Sequence, residues 1–106
     1  MIRAVFLKNT DGNLRGVSVE GHAGFAEAGR DIVCAGVSSA LQLTANAITD
    51  SFGIPAKVTV RENQVRIRLP EGAFPTAEKL LEAFRAHLTA LAEDYPDAIQ
   101  LNIMEV

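Results

Sequence analysis

Five short stretches of the chain are rich in apolar residues, mostly in alternation with polar ones, and predict β-strands. Ile2 to Lys8 and Leu14 to Glu20 flank an Asp-Gly turn and therefore predict a hairpin. Lys57 to Arg61 and Gln64 to Leu69 predict a second hairpin, with its aliphatic side chains facing inward and its basic side chains facing solvent. A last strand is predicted over residues 99–103.

The longest uncharged part of the chain predicts the first helix, over Ile32 to Phe52. Asp31 is a suitable N-cap, and Gly53 followed by Pro55 is a typical C-terminal stop. No charged residue lies between Asp31 and Asp50, so we expect this helix to be buried on most sides at the centre of the fold.

A second helix is predicted between Pro75 and Pro96, because apolar residues recur there at intervals of three and four. The predicted order is ββαββαβ. Paired strands with inserted helices indicate an α+β sandwich, with two helices packed on a mostly antiparallel sheet. The apolar stripe of the second helix comprises Leu80, Phe84, Leu88, Leu91 and Tyr95.

The length and composition are those of one globular domain, which we expect to span residues 1–106. The chain has 106 residues, of which 48% are hydrophobic and 22% charged. The uncharged run Ile32 to Thr49 contains Ser, Gln, Thr and Asn, which argues against a membrane span. The chain runs from Met1 directly into a predicted strand without a signal segment, so we expect a cytoplasmic protein.

The net charge of −3 argues against a general nucleic-acid binder, but the charge is unevenly distributed. Lys57, Arg61, Arg66 and Arg68 share the outward side of the second predicted hairpin. This basic strip is either a solvated surface or a weak contact with RNA or an acidic partner.

Cys34 and His22 are the candidate catalytic residues. If Asp31 caps the first helix, Cys34 lies in its first turn, where unpaired N–H groups favour the thiolate form. His22 lies where the second strand meets a glycine-rich loop over residues 21–30, and its ring is able to fold over the helix start. A thiol and an imidazole in contact supply the nucleophile and the general base of a cysteine hydrolase. A buried structural cysteine is the alternative.

The single cysteine excludes an internal disulfide, and the soft donors are too few for a structural zinc site. Cys34, His22 and His87 make only three such ligands, so we predict no metal and no cofactor. His87 adjoins the apolar stripe of the second helix and is interpreted as a half-exposed histidine without a catalytic role.

A long ungapped motif resembles that of the ribosomal-processing cysteine protease Prp family. It comprises Gly21-His22-Ala23, then Glu27 and Gly29, then Asp31 to Ser38, and then Asn46-Ala47-Ile48. The closing Asp94-Tyr95 and Ile99 to Asn102 are also similar to the C-terminal end of that family, so the resemblance spans nearly the whole chain.

The resemblance implies an endopeptidase that removes a short N-terminal extension from large-subunit ribosomal protein twenty-seven. It implies cleavage after an aromatic pair and before a small residue, with the nucleophile at Cys34 and the base at His22. It also implies a homodimer and a loop between these two residues that is mobile until substrate binds. An almost charge-free helix beside one-sided sheets favours self-association on physical grounds as well.

Four neighbours of the catalytic pair are candidates for substrate binding, each with a simpler alternative. Asp31 either only caps the helix or also orients His22. Ser38, one turn after Cys34, either lines the site or is a small packing residue. Phe25 either contacts an aromatic substrate residue or anchors the loop. The backbone N–H groups of Cys34 and Ala35 are candidate donors to the oxyanion.

Two other functions compete with proteolysis. A non-catalytic ribosome-associated binding module has no reason to keep both His22 and Cys34. A thiol redox sensor requires an external thiol, because the chain has no second cysteine to resolve a sulfenic acid.

Overall fold

The computed structural model describes residues 1–21 and 28–106, and side chains at all of these positions except 28–31. The order of elements in this part of the chain matches the predicted ββαββαβ order. The elements are β1 (Ile2–Lys8), β2 (Leu14–Glu20), α1 (Ala28–Asn46) with a π-helical extension (Ala47–Ser51), β3 (Lys57–Arg61), β4 (Gln64–Arg68), α2 (Pro75–Asp94) and β5 (Ile99–Glu105).

The five described strands form one mixed sheet in the order β3-β4-β2-β1-β5. Three of its four neighbouring pairs are antiparallel, and β1 pairs with β5 in parallel. The parallel pair is extended at both ends, by Ile2 N–H donating to the Ala98 carbonyl and Val106 N–H donating to the Lys8 carbonyl. The fold is α+β, with two helices packed on this sheet, which confirms the predicted class.

Both helices pack on the same face of the sheet, which we call the covered face. Alternate residues of the central strands point toward the helices and are buried, as a period of two requires. The Phe6 ring of β1 contacts the Phe84 ring of α2, with their centroids 5.8 Å apart. The largest fully buried side chains include Phe6, Ile2, Ile48, Ile67, Leu81, Leu88, Val17 and Val33.

Helix α1 begins at Ala28, three residues before the predicted N-cap Asp31, so that prediction is wrong. Ala28 and Arg30 have high helix propensity, and Gly29 between them does not interrupt the helix. Cys34 is consequently the seventh helical residue and lies in the second turn. The predicted stop is confirmed, because the π-helical extension ends at Ser51 with Phe52 as its C-cap, and Gly53 adopts a positive φ of 62°.

Helix α1 is buried on one side only, in contrast to the predicted burial on most sides. Val33, Val37, Leu41 and Ala45 form a buried stripe at intervals of four residues. Only a third of the stretch from Ile32 to Ser51 is buried. By length and composition alone this stretch is able to cross a membrane, as is the core helix of many soluble proteins. Its buried stripe packs in the core shared with the sheet.

Helix α2 begins at Pro75, as predicted, and its first turn is fixed to β2 by an ion pair. The Arg15 guanidinium donates to the Glu78 carboxylate and to the Pro70 carbonyl. Both side chains of the pair are largely buried, with 14% and 12% of their surfaces exposed. This contact holds the start of α2 over the covered face.

Candidate active site

Cys34 lines a cavity of about 190 Å³ at the end of the sheet where β2 terminates. Its side chain is half-buried and packs against the hydrophobic core. The thiol is therefore held by the core on one side and borders the cavity on the other. The cavity is formed by α1 (Cys34, Val37, Ser38, Leu41), by β1 and the end of β2 (Ile2, Val19, Gly21), and by the β3–β4 turn with its flanks (Arg61, Glu62, Asn63, Gln64, Val65).

The strand register brings the β3–β4 turn beside the end of β2. Glu20 pairs with Gln64 across the sheet, and Gly21 N–H then donates to the Asn63 carbonyl at 3.1 Å. Gly21 has a φ of 77°, and a Cβ at this position would collide with the Met1 carbonyl oxygen. Only glycine fits this site, which has a left-handed backbone conformation at the end of β2.

Of the predicted site residues, the structure brings Cys34 and Ser38 together. Ser38 is exposed one turn after Cys34 and lines the same cavity. Ala35 is exposed but does not line this cavity. His22 and Phe25 lie outside the described residues, as does the side chain of Asp31.

The position of Cys34 in the second turn changes the predicted electrostatics of the site. An α-helix leaves only its first four N–H groups without an intrahelical partner. With α1 beginning at Ala28, the N–H groups of Cys34 and Ala35 lie beyond those four. These two groups are therefore not free to bind an oxyanion, and the argument for a thiolate at the helix terminus fails for the same reason.

The β3–β4 turn is the part of the site that the sequence did not reveal. Asn63 and Gln64 both line the cavity, and Gln64 Nε2 donates to Ser18 Oγ at 3.2 Å and to Glu20 Oε2 at 3.5 Å. Alternation predicts the β3–β4 hairpin but not the strand that it joins, so no local signal placed this turn beside Cys34.

An apolar groove of about 340 Å³ continues from the Cys34 cavity, between α1 and the edge strand β3. The cavity and the groove share Ser38, Leu41 and Val65. Val58 and Val60 were predicted to face inward, and they lie on the covered face, yet Val60 is 73% exposed. The reason is that β3 is at the edge of the sheet, beyond the cover that the helices provide.

A larger groove, of about 470 Å³, separates α1 from α2 and shares no lining residue with the Cys34 cavity. It is lined by small residues of α1, by exposed Leu43 and by His87. His87 is thus placed away from Cys34. Ser39 is exposed along this groove.

Comparisons with known proteins agree with the resemblance in the motif. The sequence profile of the family described as cysteine protease Prp matches residues 1–100. The ribosomal processing cysteine protease Prp of Bacillus subtilis strain 168 is 29% identical, over 95% of this chain and 96% of that protein. The protein of the same name from Staphylococcus aureus strain Mu50 is 31% identical, over 96% of this chain and 98% of that protein.

Solved structures give the same result. A Streptococcus mutans protein superposes with a TM-score of 0.89 and 32% identity, over 100% of this chain and 96% of that chain. The Prp protease of S. aureus, in complex with a covalently linked product peptide, superposes with a TM-score of 0.88 and 29% identity, over 98% of this chain and 100% of that chain. The same protease with a substrate peptide gives a TM-score of 0.89. This chain therefore belongs to the cysteine protease Prp family and is a cysteine peptidase.

Proposed function

We propose that this chain removes the N-terminal extension of large-subunit ribosomal protein twenty-seven, with Cys34 as nucleophile and His22 as general base and acid. The observation that carries the proposal is the cavity beside Cys34. Gly21, to which His22 is bonded in the chain, lines this cavity together with Cys34. In the relatives, a Prp protease of S. aureus binds a substrate peptide and a covalently linked product peptide.

The mechanism follows from these two groups. His22 takes the proton of the Cys34 thiol, and the sulfur attacks the scissile carbonyl carbon. The tetrahedral intermediate collapses as the C–N bond breaks, and His22 gives its proton to the leaving amine. Water, activated by His22, then hydrolyses the thioester and restores the thiol. Ser38, on the wall beside Cys34, is proposed to bind the substrate backbone, and Asp31 and Phe25 remain predicted contacts.

The test is mass spectrometry of the extended ribosomal protein after incubation with this chain. Cys34→Ala and His22→Ala should each abolish release of the extension. His87→Ala is the matched control, because His87 lies in the other groove and should leave cleavage unchanged. Release of the extension by the Cys34→Ala protein at the wild-type rate would refute the assignment.

Cleavage after an aromatic pair is supported by the groove between α1 and β3. This groove is apolar, and its volume of about 340 Å³ has room for aromatic side chains. The groove opens into the cavity at Cys34. Val60→Asp should therefore reduce the preference for aromatic over alanine residues before the scissile bond. Ile103→Asp, which alters an exposed aliphatic residue at the opposite edge of the sheet, is the control. An unchanged preference in Val60→Asp would exclude this groove.

A homodimer is proposed to form through the groove between α1 and α2. The uncharged stretch of α1 is largely unburied in one copy, and Leu43 is 71% exposed beside the groove. Leu43→Asp should give monomers in analytical ultracentrifugation, whereas Met104→Asp, on the other face of the sheet, should not. A Leu43→Asp protein that still sediments as a dimer would place the interface elsewhere.

The protein is proposed to act in the cytoplasm, where the precursor is made, and to contact the ribosome weakly through Arg61, Arg66 and Arg68. All three side chains are exposed, in agreement with the predicted outward direction of the basic strip. Cosedimentation with ribosomes should decrease after charge reversal at Arg66 and Arg68. An unchanged fraction of the protein in the ribosomal pellet would refute the proposed contact.

A further inference from the structure

The sheet face opposite the helices, which we call the open face, carries a cluster of basic residues larger than the strip seen in the sequence. Its members follow from the register of the strands, because residues that are paired across a sheet lie on the same face. Arg3 joins this face from β1, between Glu20 and Gln100. The five cations of the open face are Arg3, Lys57, Arg61, Arg66 and Arg68, and all are exposed.

The charge of this face opposes that of the whole molecule. Glu20 is the one acidic residue that the register places on the open face, so five cations against one carboxylate give it a net charge of +4. The chain as a whole carries −3, which leaves −7 on the remainder. Such a separation of charge creates a local positive potential on a protein that is acidic overall.

None of these cations forms an ion pair with another described residue. In the part of the chain that the structure describes, the ion pairs are Arg15 with Glu78 and Lys79 with Glu82, and neither involves the open face. Lys57 lies directly opposite Arg68 in the register of β3 and β4. Like charges in this arrangement destabilise a sheet, so the pair is better explained by an anionic ligand than by folding.

We infer that the open face binds the phosphate backbone of RNA, which deepens the proposed ribosome contact by naming its ligand. The face is about 19 Å across its five strands, as strands are about 4.8 Å apart. The register also places Val5, Leu7 and Met104 on this face, on β1 and β5, but no aromatic side chain of the kind that is enriched in protein interfaces. Four of the five cations lie together on β3 and β4, away from these apolar residues. A surface of exposed cations instead suits a polyanion, whose binding depends on counterion release.

Arg61 connects the open face to the Cys34 cavity. It belongs to the same row of paired residues as Gln64, Glu20 and Arg3, and it also lines the Cys34 cavity. RNA bound on the open face would therefore end beside the cavity. A precursor protein held on that RNA would have its extension close to the Cys34 cavity.

The test is fluorescence anisotropy with a labelled single-stranded RNA of mixed sequence. Arg66→Glu combined with Arg68→Glu should weaken binding at least tenfold. The dependence of log K on log salt should become shallower by about 1.4, since each phosphate contact contributes about 0.7. Lys79→Glu combined with Arg85→Glu, which makes the same change of charge on α2, should alter the affinity less than threefold.

Cleavage of a short peptide by the same samples separates this inference from the proposed protease function. Both double variants should cleave at the wild-type rate, and Cys34→Ala should bind RNA with wild-type affinity while cleaving nothing. Failure of the wild-type protein to bind the RNA at about 50 mM salt, where such contacts are strong, would overturn the inference. Equal losses of affinity in the two double variants would overturn it as well.

Discussion

The two faces of the sheet are built from alternate residues of the same five strands, yet they differ in burial and in charge. The covered face buries aliphatic and aromatic side chains under two helices and ends at the Cys34 cavity. The open face exposes five cations and contributes no described ion pair. Side chains alternate between the two faces along each strand. The groups that stabilise the fold and adjoin the thiol therefore lie on one face, and the groups that set the surface charge lie on the other.

The largest difference between the faces should be seen at neighbouring residues of β4. Ile67 is fully buried on the covered face, and Arg66 is exposed on the open face. Ile67→Ala should reduce the free energy of unfolding by about 2–5 kcal/mol, because it leaves a cavity in the core. Arg66→Ala should change it by less than about 0.5 kcal/mol. Urea denaturation measures both, and comparable losses would contradict the division between the faces.

A second test concerns Gly21, at the end of β2 where the covered face meets the cavity. Gly21→Ala should lower the free energy of unfolding by about 3 kcal/mol and slow peptide cleavage. The reason is that the new Cβ would sit at a position of positive φ and collide with the Met1 carbonyl. Gly12 has a φ of 87° with open space around it, so Gly12→Ala should cost only about 1 kcal/mol and leave cleavage intact. Equal effects would mean that the close approach at Gly21 is unimportant.

The ion pair on the covered side offers a third test. Arg15→Ala should destabilise the fold by about 1–3 kcal/mol, because it leaves the Glu78 carboxylate largely buried without its partner. Lys79→Ala removes an exposed ion pair and should cost less than about 0.5 kcal/mol. Thermal unfolding compares the two, and an Arg15→Ala protein as stable as Lys79→Ala would show that the pair does not anchor α2.

The smallest expected change in the free energy of unfolding is an increase rather than a decrease. Lys57→Glu places a carboxylate opposite Arg68 and should raise the free energy of unfolding by about 0.2–1 kcal/mol. The same substitution should weaken RNA binding, because it removes a cation from the open face. A variant that gains stability and keeps its RNA affinity would show that Lys57 takes no part in the contact.

The strands could be predicted from the sequence because alternation is a local signal. The bounds of β1, β2 and β3 agree with their prediction, and α2 begins at the predicted Pro75. The start of α1 could not be predicted in the same way. Asp31 is a favourable N-cap, but the preceding Ala28 and Arg30 also favour a helix, and the helix began earlier.

The Cys34 site was predicted in part for a related reason. Cys34 and Ser38 lie one helical turn apart, so their common side of α1 could be inferred from spacing alone. Asn63 and Gln64 reach the same cavity only because β4 pairs with β2, and the order of strands is not written in any one segment. The exposure of Val60 has the same origin, since an edge position is a property of the whole sheet.

The parallel pairing of β1 with β5 has a consequence for folding. The strand β1 acquires its second neighbour from β5, and the two are paired up to the hydrogen bond between Val106 and Lys8. Contacts between segments that are distant in the sequence form late, because the long intervening loop must close first. Until β5 docks, β1 therefore carries an unpaired edge, and substitutions that weaken β5 should leave that edge available for aggregation.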